Sequence, residues 1–353
     1  MKNSIIDNVK VVDLFCGVGG LTHGFIQESF EVSAGFDIDS TCKYPYEANN
    51  GEAKFIHKDI SEVTGEEVNN FYSNADIKIL VGCAPCQPFS TYSYKTSDKK
   101  KWGLLGEFAR IIQETNPEVI SMENVPRLTQ FEKAPVFSEF LSELDRLGYK
   151  YSYKIVNCPA YGIPQHRKRL VLLGSKLGEI SIIPETHNED NYVTVRDAIG
   201  DLESLESGET AENDSIHRAS KLSELNLKRI RQSKPGGSWK DWDESLQLAC
   251  HKKKTGKTYV SVYGRMKWTE PAPTMTTHCT GIGNGRFGHP EQDRAITLRE
   301  AAIFQTFPRD YKFVEEGENF RVKTVSTHIG NAVPVKLGQV IAKSIKIHLE
   351  EYY

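Results

Sequence analysis

The sequence lacks long apolar runs, and this absence bounds the class of protein. Its longest hydrophobic stretches, such as IKILVG (77–82) and RLVLLG (169–174), have the length of single strands. A helix that spans a bilayer needs about 20 apolar residues. The N-terminal residues MKNSIIDNVK also lack the apolar run of a signal peptide. We therefore expect a cytoplasmic protein with no membrane contact.

The sequence also lacks the cysteine pattern of a disulfide-bonded protein. The 353 residues include seven cysteines, an odd number scattered over the whole length, so we expect reduced thiols rather than a disulfide framework. Cys83 and Cys86 form a CxxC pair, but no second CxxC or nearby histidine pair completes a zinc site. The sequence therefore predicts no bound metal.

An excess of positive charge is absent too. The net charge is −3, whereas a dedicated nucleic-acid binder is usually basic. The average hides a pattern, because residues 245–269 contain six Lys or Arg and no acid, while acidic residues dominate 179–214. Such blocks are commonly solvated faces. They can also mark a basic groove on an otherwise neutral protein.

The first half of the chain contains strand-like segments that alternate with helical ones. This order predicts an α/β fold with a mostly parallel, doubly wound sheet, which resembles a Rossmann fold. Ligands of such sheets bind at the carboxyl ends of the strands. The predicted strands are 9–15, 31–36, 77–82, 118–125 and 169–174.

The second half is richer in turns and predicts a smaller domain of loops and short strands. We place the first domain at 1–186, this smaller domain at 187–325, and a C-terminal helix that returns to the first domain at 326–353. Thr297 and Glu300 match a capping box at the start of a helix. Apolar residues at 337, 340, 341, 345 and 349 form a helical stripe in the tail.

A glycine-rich loop, FCGVGG (15–20), follows the first predicted strand. Such a loop lets the backbone approach a ligand at a helix N-terminus. Thr22 replaces the third glycine of the dinucleotide fingerprint, which argues against a nicotinamide enzyme. Asp37, at the end of the second strand, can accept hydrogen bonds from ribose hydroxyls, and Asp59 from an adenine amino group. Each aspartate could equally be a helix cap or a turn residue.

The segment GCAPCQPFS (82–90) holds a cysteine between stiffened peptides. Prolines 85 and 88 push the residues before them toward extended conformations, which fixes the direction of the Cys86 side chain. This favours Cys86 as a nucleophile, although a lone cysteine is more often inert core. Cys83 is interpreted as a small buried filler. Glu123, in MENVP (122–126), is expected to face the same crevice as a proton donor.

The segment QHRKR (165–169) completes this set. In an extended chain Gln165, Arg167 and Arg169 alternate to one face. Two guanidinium groups on one face suit a phosphate or a ring carbonyl oxygen. The alternative is a surface strand with solvated arginines.

Taken together and in this order, the motifs resemble the bacterial-type cytosine-C5 DNA methyltransferases over nearly the whole chain. The landmarks are DLFCGVGG (13–20), GFDID (35–39), KDI (58–60), GCAPCQPFS (82–90), GLLGEFARI (103–111), MENVP (122–126), QHRKR (165–169), DRAITLREAAIFQTFP (293–308) and GNAVP (330–334).

The resemblance implies an S-adenosylmethionine pocket without a metal. Asp37 would bind the ribose, although this family normally has Glu at that position, and Asp59 would bind the adenine amino group. The cofactor-binding residues implied by position are Phe15, Gly17, Val18, Gly20, Asp37, Ile38, Asp59, Ile60, Pro85, Leu104, Asn331 and Val333.

The resemblance also implies a covalent mechanism on a cytosine flipped out of duplex DNA. The Cys86 thiolate adds to C6 and Glu123 protonates N3, so that C5 can attack the methyl group. Arg167 and Arg169 would hold the target base and its flanking backbone. A monomer is expected, because flipping one base requires only one active site. A cognate restriction endonuclease, or a role in phage or host self-protection, would accompany such an enzyme.

The resemblance implies that 1–186 is the catalytic and cofactor-binding domain and that 187–325 is the target recognition domain. The expected DNA contacts lie in two regions. Residues 91–102 (TYSYKTSDKKKW) carry four lysines against one aspartate and fit a cationic lid, although an ordinary exposed loop would look the same. Arg265 and Arg286 are candidates for reading guanine or for binding phosphates. The remaining candidates are Ser90, Lys95, Lys99, Lys100 and Gln165.

Two other functions fit parts of the pattern. A eukaryotic branch of the family methylates tRNA cytosine and carries a Cys-Phe-Thr tripeptide, but the nearest stretch here is Cys279-Thr280-Gly281. A catalytically dead homologue would have lost the nucleophile or the cofactor loop, and neither is lost. We therefore predict methylation of DNA.

Overall fold

The computed structural model describes residues 8–85, 103–130, 136–254 and 256–352. Among these residues no helix is long and apolar enough to cross a membrane. The strands are β1 (Val9–Leu14), β2 (Glu31–Asp37), β3 (Lys54–His57), β4 (Ile77–Gly82), β5 (Val119–Asn124), β6 (Lys150–Asn157), β7 (Gln165–His166), β8 (Lys168–Ser175), β9 (Thr210–Ala211), β10 (Asp214–Arg218) and β11 (Ala272–Pro273).

The α-helices lie between and after these strands. They are α1 (Gly20–Gln27), α2 (Lys43–Glu47), α3 (Gly65–Asn70), α4 (Gly103–Thr115), α5 (Val136–Arg146), α6 (Val195–Ile199), α7 (Glu224–Gln232), α8 (Ala249–Lys252), α9 (Leu298–Phe304), α10 (Val322–Asn331) and α11 (Val335–Tyr352).

A seven-stranded sheet forms the centre of the fold, in the order β3-β2-β1-β4-β5-β8-β6. The strands from β3 to β5 are parallel, whereas β8 runs antiparallel to both β5 and β6. The predicted α/β class with a mostly parallel sheet is confirmed. The antiparallel β6–β8 pair and the short β3 were not predicted.

Side chains of the central strands alternate between two apolar cores. Val11, Ile79 and Val81 belong to one buried cluster, whereas Val12 and Leu80 belong to the other. Both faces of the sheet are therefore covered, as strands with near-continuous apolar sequences require. The strand order reverses between β1 and β4, so the ligand crevice of such a sheet lies beyond their paired ends at Leu14 and Gly82.

The C-terminal helix α11 packs against α1, in the first half of the chain. A Cβ added at Gly24 would lie 2.5 Å from backbone atoms of Gly338 and Gln339. Glycine is therefore required where the two helices approach each other. The predicted boundary at 326 falls inside α10 (Val322–Asn331), because this helix begins before it.

The segment after β8 consists mainly of turns and short elements. Among its described residues, β9 and β10 form a two-stranded pair, and β11 pairs with β7 of the QHRKR segment. The predicted capping box is present, since the Thr297 hydroxyl accepts from Glu300 N and the Glu300 carboxylate accepts from Thr297 N. The assignment of residues 187–325 as a target recognition domain stays a prediction.

Candidate active site

The glycine-rich loop joins β1 to α1 in a strained backbone conformation. Phe15, Gly17 and Gly19 have φ angles of 62°, 51° and 86°, a left-handed region that only glycine adopts without cost. The Gly17 amide donates a 2.8 Å hydrogen bond to Asp37 Oδ2. No described atom lies within 4 Å of a Cβ placed at Gly17. The loop therefore leaves open space beside the Asp37 carboxylate.

Asp37 lies at the end of β2 with both oxygens oriented by backbone amides. Oδ2 accepts from Gly17 N, and Oδ1 accepts from Asp39 N at 2.9 Å. Burial raises the pKa of the Asp37 carboxyl, and these amide bonds oppose the shift. The neighbouring Ile38 side chain is 64% exposed. A carboxylate beside an exposed apolar side chain suits a ribose that is joined to a flat base.

Asp59 caps a short 3-10 turn, which is the alternative that the sequence left open. Its Oδ1 accepts from Ser61 N at 3.0 Å and from Ser61 Oγ at 2.9 Å. Ile60 lies in an apolar core with 5% exposure, and its carbonyl accepts from Arg110. Our prediction that Ile60 lines the cofactor pocket is therefore not supported for its side chain. A role of Asp59 in adenine binding stays a prediction.

The C-terminal side of the glycine loop is closed by the GNAVP segment. A Cβ at Gly20 would lie 2.2 Å from the Val333 carbonyl oxygen, so Gly20 serves this close approach. Val18 and Val333 are buried at 2% and 6% exposure, whereas Asn331 is exposed. Asn331 therefore remains accessible to a ligand. The two valines support the loop from inside.

The turn after β4 carries the reactive cysteine motif, and Cys86 itself lies outside the described residues. Ala84 is buried, and its carbonyl accepts a 3.1 Å hydrogen bond from Asn124 Nδ2. Pro85 is exposed at the edge of the described segment, and Leu104 is half-buried at the start of α4. The MENVP segment thus holds the backbone that leads into Cys86.

Glu123 lies at the end of β5 with 2% exposure. Its Oε2 accepts a 2.8 Å hydrogen bond from the Cys83 thiol, and its Oε1 lies 3.0 Å from Arg169 Nε. The Arg169 N–H is not aligned with Oε1, which has no hydrogen-bond partner among the described residues. A buried carboxylate oxygen in this state marks a place where a ligand group can bind.

Arg167 and Gln165 do not share an open face with Arg169. Arg167 is 2% exposed and donates to the carbonyls of Met275, Gly330 and Ala332. Burial, followed by the charge of Arg169, lowers the pKa of Arg167 to about 9. Its Nε has no hydrogen-bond partner among the described residues. The expected one-sided alternation is wrong, because Arg167 joins three chain segments instead.

Gln165 is fully buried, and its side-chain Nε2 donates hydrogen bonds to Phe304 O and to Gln305 Oε1. A direct DNA contact by this side chain is not supported. Arg265 is 5% exposed and donates to backbone carbonyls, among them Ile230 O and His289 O, and to Asp293. These hydrogen bonds hold Arg265 in the interior, where it joins several chain segments. A direct contact of Arg265 with guanine is therefore not supported.

The other DNA-binding candidates divide into two groups. Arg286 is half-buried and donates to the Gly237 carbonyl, so part of its guanidinium group is engaged. The proposed lid (91–102) and four candidates lie outside the described residues, namely Ser90, Lys95, Lys99 and Lys100. The exposed side chains of Tyr259 (63%) and Val260 (38%) lie in the basic stretch around 252–267. They are surface features that the charge pattern did not indicate.

Asp39, Cys42 and His328 place one potential metal-ligand atom each within 4.8 Å of one another. The Thr41 hydroxyl lies 2.8 Å from His328 Nε2, and Asp39 Oδ2 lies 3.5 Å from the same nitrogen. These contacts join the turn after β2 to α10. The absence of a bound metal stays a prediction.

Comparison with known proteins identifies the family to which this chain belongs. The sequence profile of the C-5 cytosine-specific DNA methylases matches residues 9–347. The chain belongs to this family. Membership confirms the predicted activity, the methylation of cytosine C5 in DNA, and favours it over tRNA methylation.

Two relatives cover almost the whole chain. The chain is 59% identical over 340 residues to the type II methylase M.HgiDII of Herpetosiphon aurantiacus, which spans 96% of each protein. It is 32% identical over 344 residues to the type II methyltransferase M1.HphI of Haemophilus parahaemolyticus. The aligned region covers 96% of this chain and 87% of the relative.

A solved structure shares the fold. It is a DNA modification methyltransferase encoded within a prophage (E. coli), with a TM-score of 0.75 and 23% identity over 97% of this chain and 99% of that one. This likeness extends across both halves of the methylase. It therefore includes the turn-rich segment after β8.

Two features of this C-5 cytosine-specific DNA methylase were missed by sequence reasoning. The Cys83 thiol contacts Glu123, and the Asn124 amide holds the Ala84 carbonyl. A signal existed for both, since Cys83 follows the strand β4 and Asn124 ends β5 at the same edge of the sheet. The pairing of adjacent parallel strands determines these contacts, and the sequence order alone does not show which strands are adjacent.

Proposed function

We propose that this methylase is the modification enzyme of a type II restriction–modification system. It transfers the methyl group of S-adenosylmethionine to C5 of a flipped-out cytosine within a short specific sequence of duplex DNA. The observation that carries the proposal is the buried Glu123 carboxyl, held between Cys83 and Arg169 on the strand next to the one that leads into Cys86. The names of M.HgiDII and M1.HphI support the type II assignment.

The chain offers a site that fits S-adenosylmethionine beside the glycine loop. The Asp37 carboxylate would accept from the ribose hydroxyls, the exposed Ile38 would cover one face of the adenine, and the open space at Gly17 would admit the cofactor. Asn331, Leu104 and Pro85 would complete the pocket. When bound, the cofactor supplies a methyl group that is electrophilic because it is attached to a sulfonium sulfur.

The target cytosine would occupy the space between Glu123 and Cys86. The Cys86 thiolate forms a bond to C6 while the carboxylic acid of Glu123 gives its proton to N3, so the C5=C6 electron pair becomes available at C5. Transfer of the methyl group to C5 would leave S-adenosylhomocysteine. Loss of the C5 proton to solvent would then break the C6–S bond and release the Cys86 thiolate, and return of the N3 proton to Glu123 would restore the aromatic ring. Arg169 contacts Glu123 and would hold the base, while Arg167 would steady the surrounding backbone.

The DNA would bind across the carboxyl edge of the sheet, with the segment 187–325 reading the sequence. The lysines of 91–102 would neutralise phosphates and exclude water once a base is flipped. Exposed groups of the basic stretch, such as Lys253 and Tyr259, are better placed for contacts than the buried Arg265. We expect a monomer and a cognate endonuclease that cleaves the same sequence.

A mechanism-based trap tests this proposal. Duplex DNA whose target cytosine carries fluorine at C5 cannot lose a proton there, so the enzyme should remain joined to the base after methyl transfer. We expect a covalent complex that requires S-adenosylmethionine, with the DNA attached to Cys86 in peptide mass spectrometry. Cys86→Ala should form none. A complex with tRNA but not with DNA, or attachment at another residue, would contradict the proposal.

A further inference from the structure

The thiol of Cys83 packs against an apolar core and also contacts the carboxyl of Glu123. Its Sγ donates a 2.8 Å hydrogen bond to Glu123 Oε2, a short distance for a sulfur donor, which is intrinsically weak. The expectation that Cys83 fills space in the core is therefore incomplete, because the side chain also makes a specific polar contact.

The two oxygens of Glu123 have different surroundings. Oε2 is held by Cys83, whereas Oε1 is buried, close to Arg169, and without a hydrogen-bond partner among the described residues. A buried acceptor without a partner is costly unless a ligand completes it. Oε1 is thus the oxygen available to a substrate, and Cys83 determines which of the two it is.

We propose that Cys83 is a positioning residue for the proton donor. Its S–H anchors Oε2, which turns Oε1 toward the target cytosine as the atom that passes the proton to N3. This assignment rests on the proposed function, because it presumes that Glu123 protonates the base. The contact lies three residues before the nucleophile and gives the two cysteines separate tasks.

The charged surroundings of Glu123 determine what the thiol can do. Among the described residues, the titratable groups that interact with Glu123 are Cys83 after β4, Cys158 after β6, Arg167, and Arg169 on β8, while Asp13 of β1 also acts on the Cys83 thiol. Burial, with the added charge of Glu123, holds the pKa of Cys83 well above its usual range. Cys83 therefore stays an S–H donor at neutral pH and does not itself relay a proton.

Loss of the Cys83 donor leaves Oε2 without its anchor, so Oε1 is no longer held toward the target base. Cys83→Ala should therefore lower the single-turnover rate of methyl transfer roughly tenfold. The affinities for S-adenosylmethionine and for duplex DNA should stay unchanged, because the thiol contacts Glu123 and not the glycine loop.

The test measures the single-turnover rate of methyl transfer to duplex DNA, together with the dissociation constants for S-adenosylmethionine and DNA. It compares the wild type, Cys83→Ala, Cys83→Ser and Cys158→Ala. Serine restores a donor and should return the rate toward the wild-type value. Cys158 is a fully buried thiol near the same arginines, and no hydrogen bond to Glu123 is seen for it. Cys158→Ala should keep the wild-type rate.

Two results would overturn the inference. One is a Cys83→Ala rate equal to that of the wild type. The other is a lower rate that serine does not rescue, which indicates packing alone. If the wild type itself transfers no methyl group to DNA, the proposed function fails instead.

An infrared measurement keeps the inference testable if Cys83→Ala does not fold. The S–H stretching band of Cys83, obtained as wild type minus Cys83→Ser, should be shifted by its hydrogen bond to a carboxylate. Glu123→Gln should move this band toward that of a weakly bonded thiol. An unchanged band would show that the thiol does not donate to Glu123.

Discussion

Among the described residues, the Glu123 carboxyl is the group whose contacts bear most directly on proton transfer. It is 2% exposed, receives the Cys83 thiol on one oxygen and lies 3.0 Å from Arg169 on the other. A group in this position can transfer a proton only if the base reaches the remaining face of Oε1. The neutral amide of glutamine has the same shape as the acid but cannot transfer the proton.

Glu123→Gln should lower the single-turnover rate of methyl transfer by about 10²- to 10⁴-fold, the range expected for the loss of a general acid. Binding of S-adenosylmethionine should change little, because Asp37 and the glycine loop are untouched. The control is Glu139→Gln, at an exposed position of α5, which should keep the wild-type rate. Rapid-quench assays with labelled cofactor measure both. A Glu123→Gln rate within tenfold of the wild type would remove Glu123 from the mechanism.

At the scale of elements, two of the capping boxes among the described residues differ in their surroundings. Thr64 and Glu67 cap α3 at the surface. Thr297 and Glu300 cap α9 in the interior, where Thr297 Oγ1 also lies 2.9 Å from His217 Nδ1. The same motif should therefore contribute unequally to stability.

Thr64→Ala should cost about 1 kcal/mol of unfolding free energy, the usual value for a lost N-cap. Thr297→Ala should cost about 2–3 kcal/mol, because the substitution removes the partner of the buried His217 Nδ1 and of the Glu300 amide. Urea denaturation of both variants and the wild type measures the difference. Equal losses at the two sites would contradict this reading of the interior box.

The close contact of α1 with α11 offers a second test at this scale. A Cβ at Gly24 would lie 2.5–2.6 Å from backbone atoms of α11, whereas a Cβ at Gly106, on α4, meets no described atom within 4 Å. Gly24→Ala should destabilise the protein by about 3 kcal/mol or more through overpacking. Gly106→Ala should stabilise it by about 0.5–1 kcal/mol through helix propensity. Thermal or urea unfolding distinguishes these signs, and a neutral Gly24→Ala would show that α11 yields easily.

At the scale of the whole molecule, a buried carboxyl couples stability to pH. Asp13 is 1% exposed, accepts from the Thr22 hydroxyl at 2.7 Å, and has one oxygen without a hydrogen-bond partner among the described residues. Burial is the largest cause that raises its pKa to about 7. The folded protein thus holds this proton more tightly than the unfolded chain does.

The free energy of unfolding should therefore fall as pH rises from about 4 to about 7, by up to about 4 kcal/mol from this group. Asp13→Asn cannot ionise, so its unfolding free energy should fall less over the same range. Asp190→Asn, at an exposed position, should follow the wild type. Denaturant titrations at about pH 5 and about pH 8 compare the three proteins. A wild-type slope retained in Asp13→Asn would assign the pH dependence to other groups.

The sequence predicted the parts of this molecule that follow from local patterns. The five strands, the capping box of α9 and the apolar stripe of α11 were all correct, because periodicity and caps act within a few residues. The convergence of Asp37 and Glu123 on one edge followed from the rule for parallel sheets. The family motifs identified the reaction.

The expectations that the structure does not support concern side chains whose partners are distant in sequence. Arg167 was expected to hold the target base or its backbone, and Arg265 and Gln165 to contact DNA. Each instead bonds to backbone or side-chain groups of remote segments. A charged side chain in a motif does not show which carbonyls surround it. Cys83 was likewise undervalued, since its partner belongs to another strand. Burial of these groups is a property of the packed molecule.

Bisulfite sequencing of long mixed-sequence duplex DNA, after incubation with this protein and S-adenosylmethionine, tests the central claim most directly. Methylation at C5 protects cytosine from conversion. We expect unconverted cytosines confined to one short motif, present with the wild type and absent with Cys86→Ala. Full conversion at every cytosine with the folded wild-type protein would contradict it.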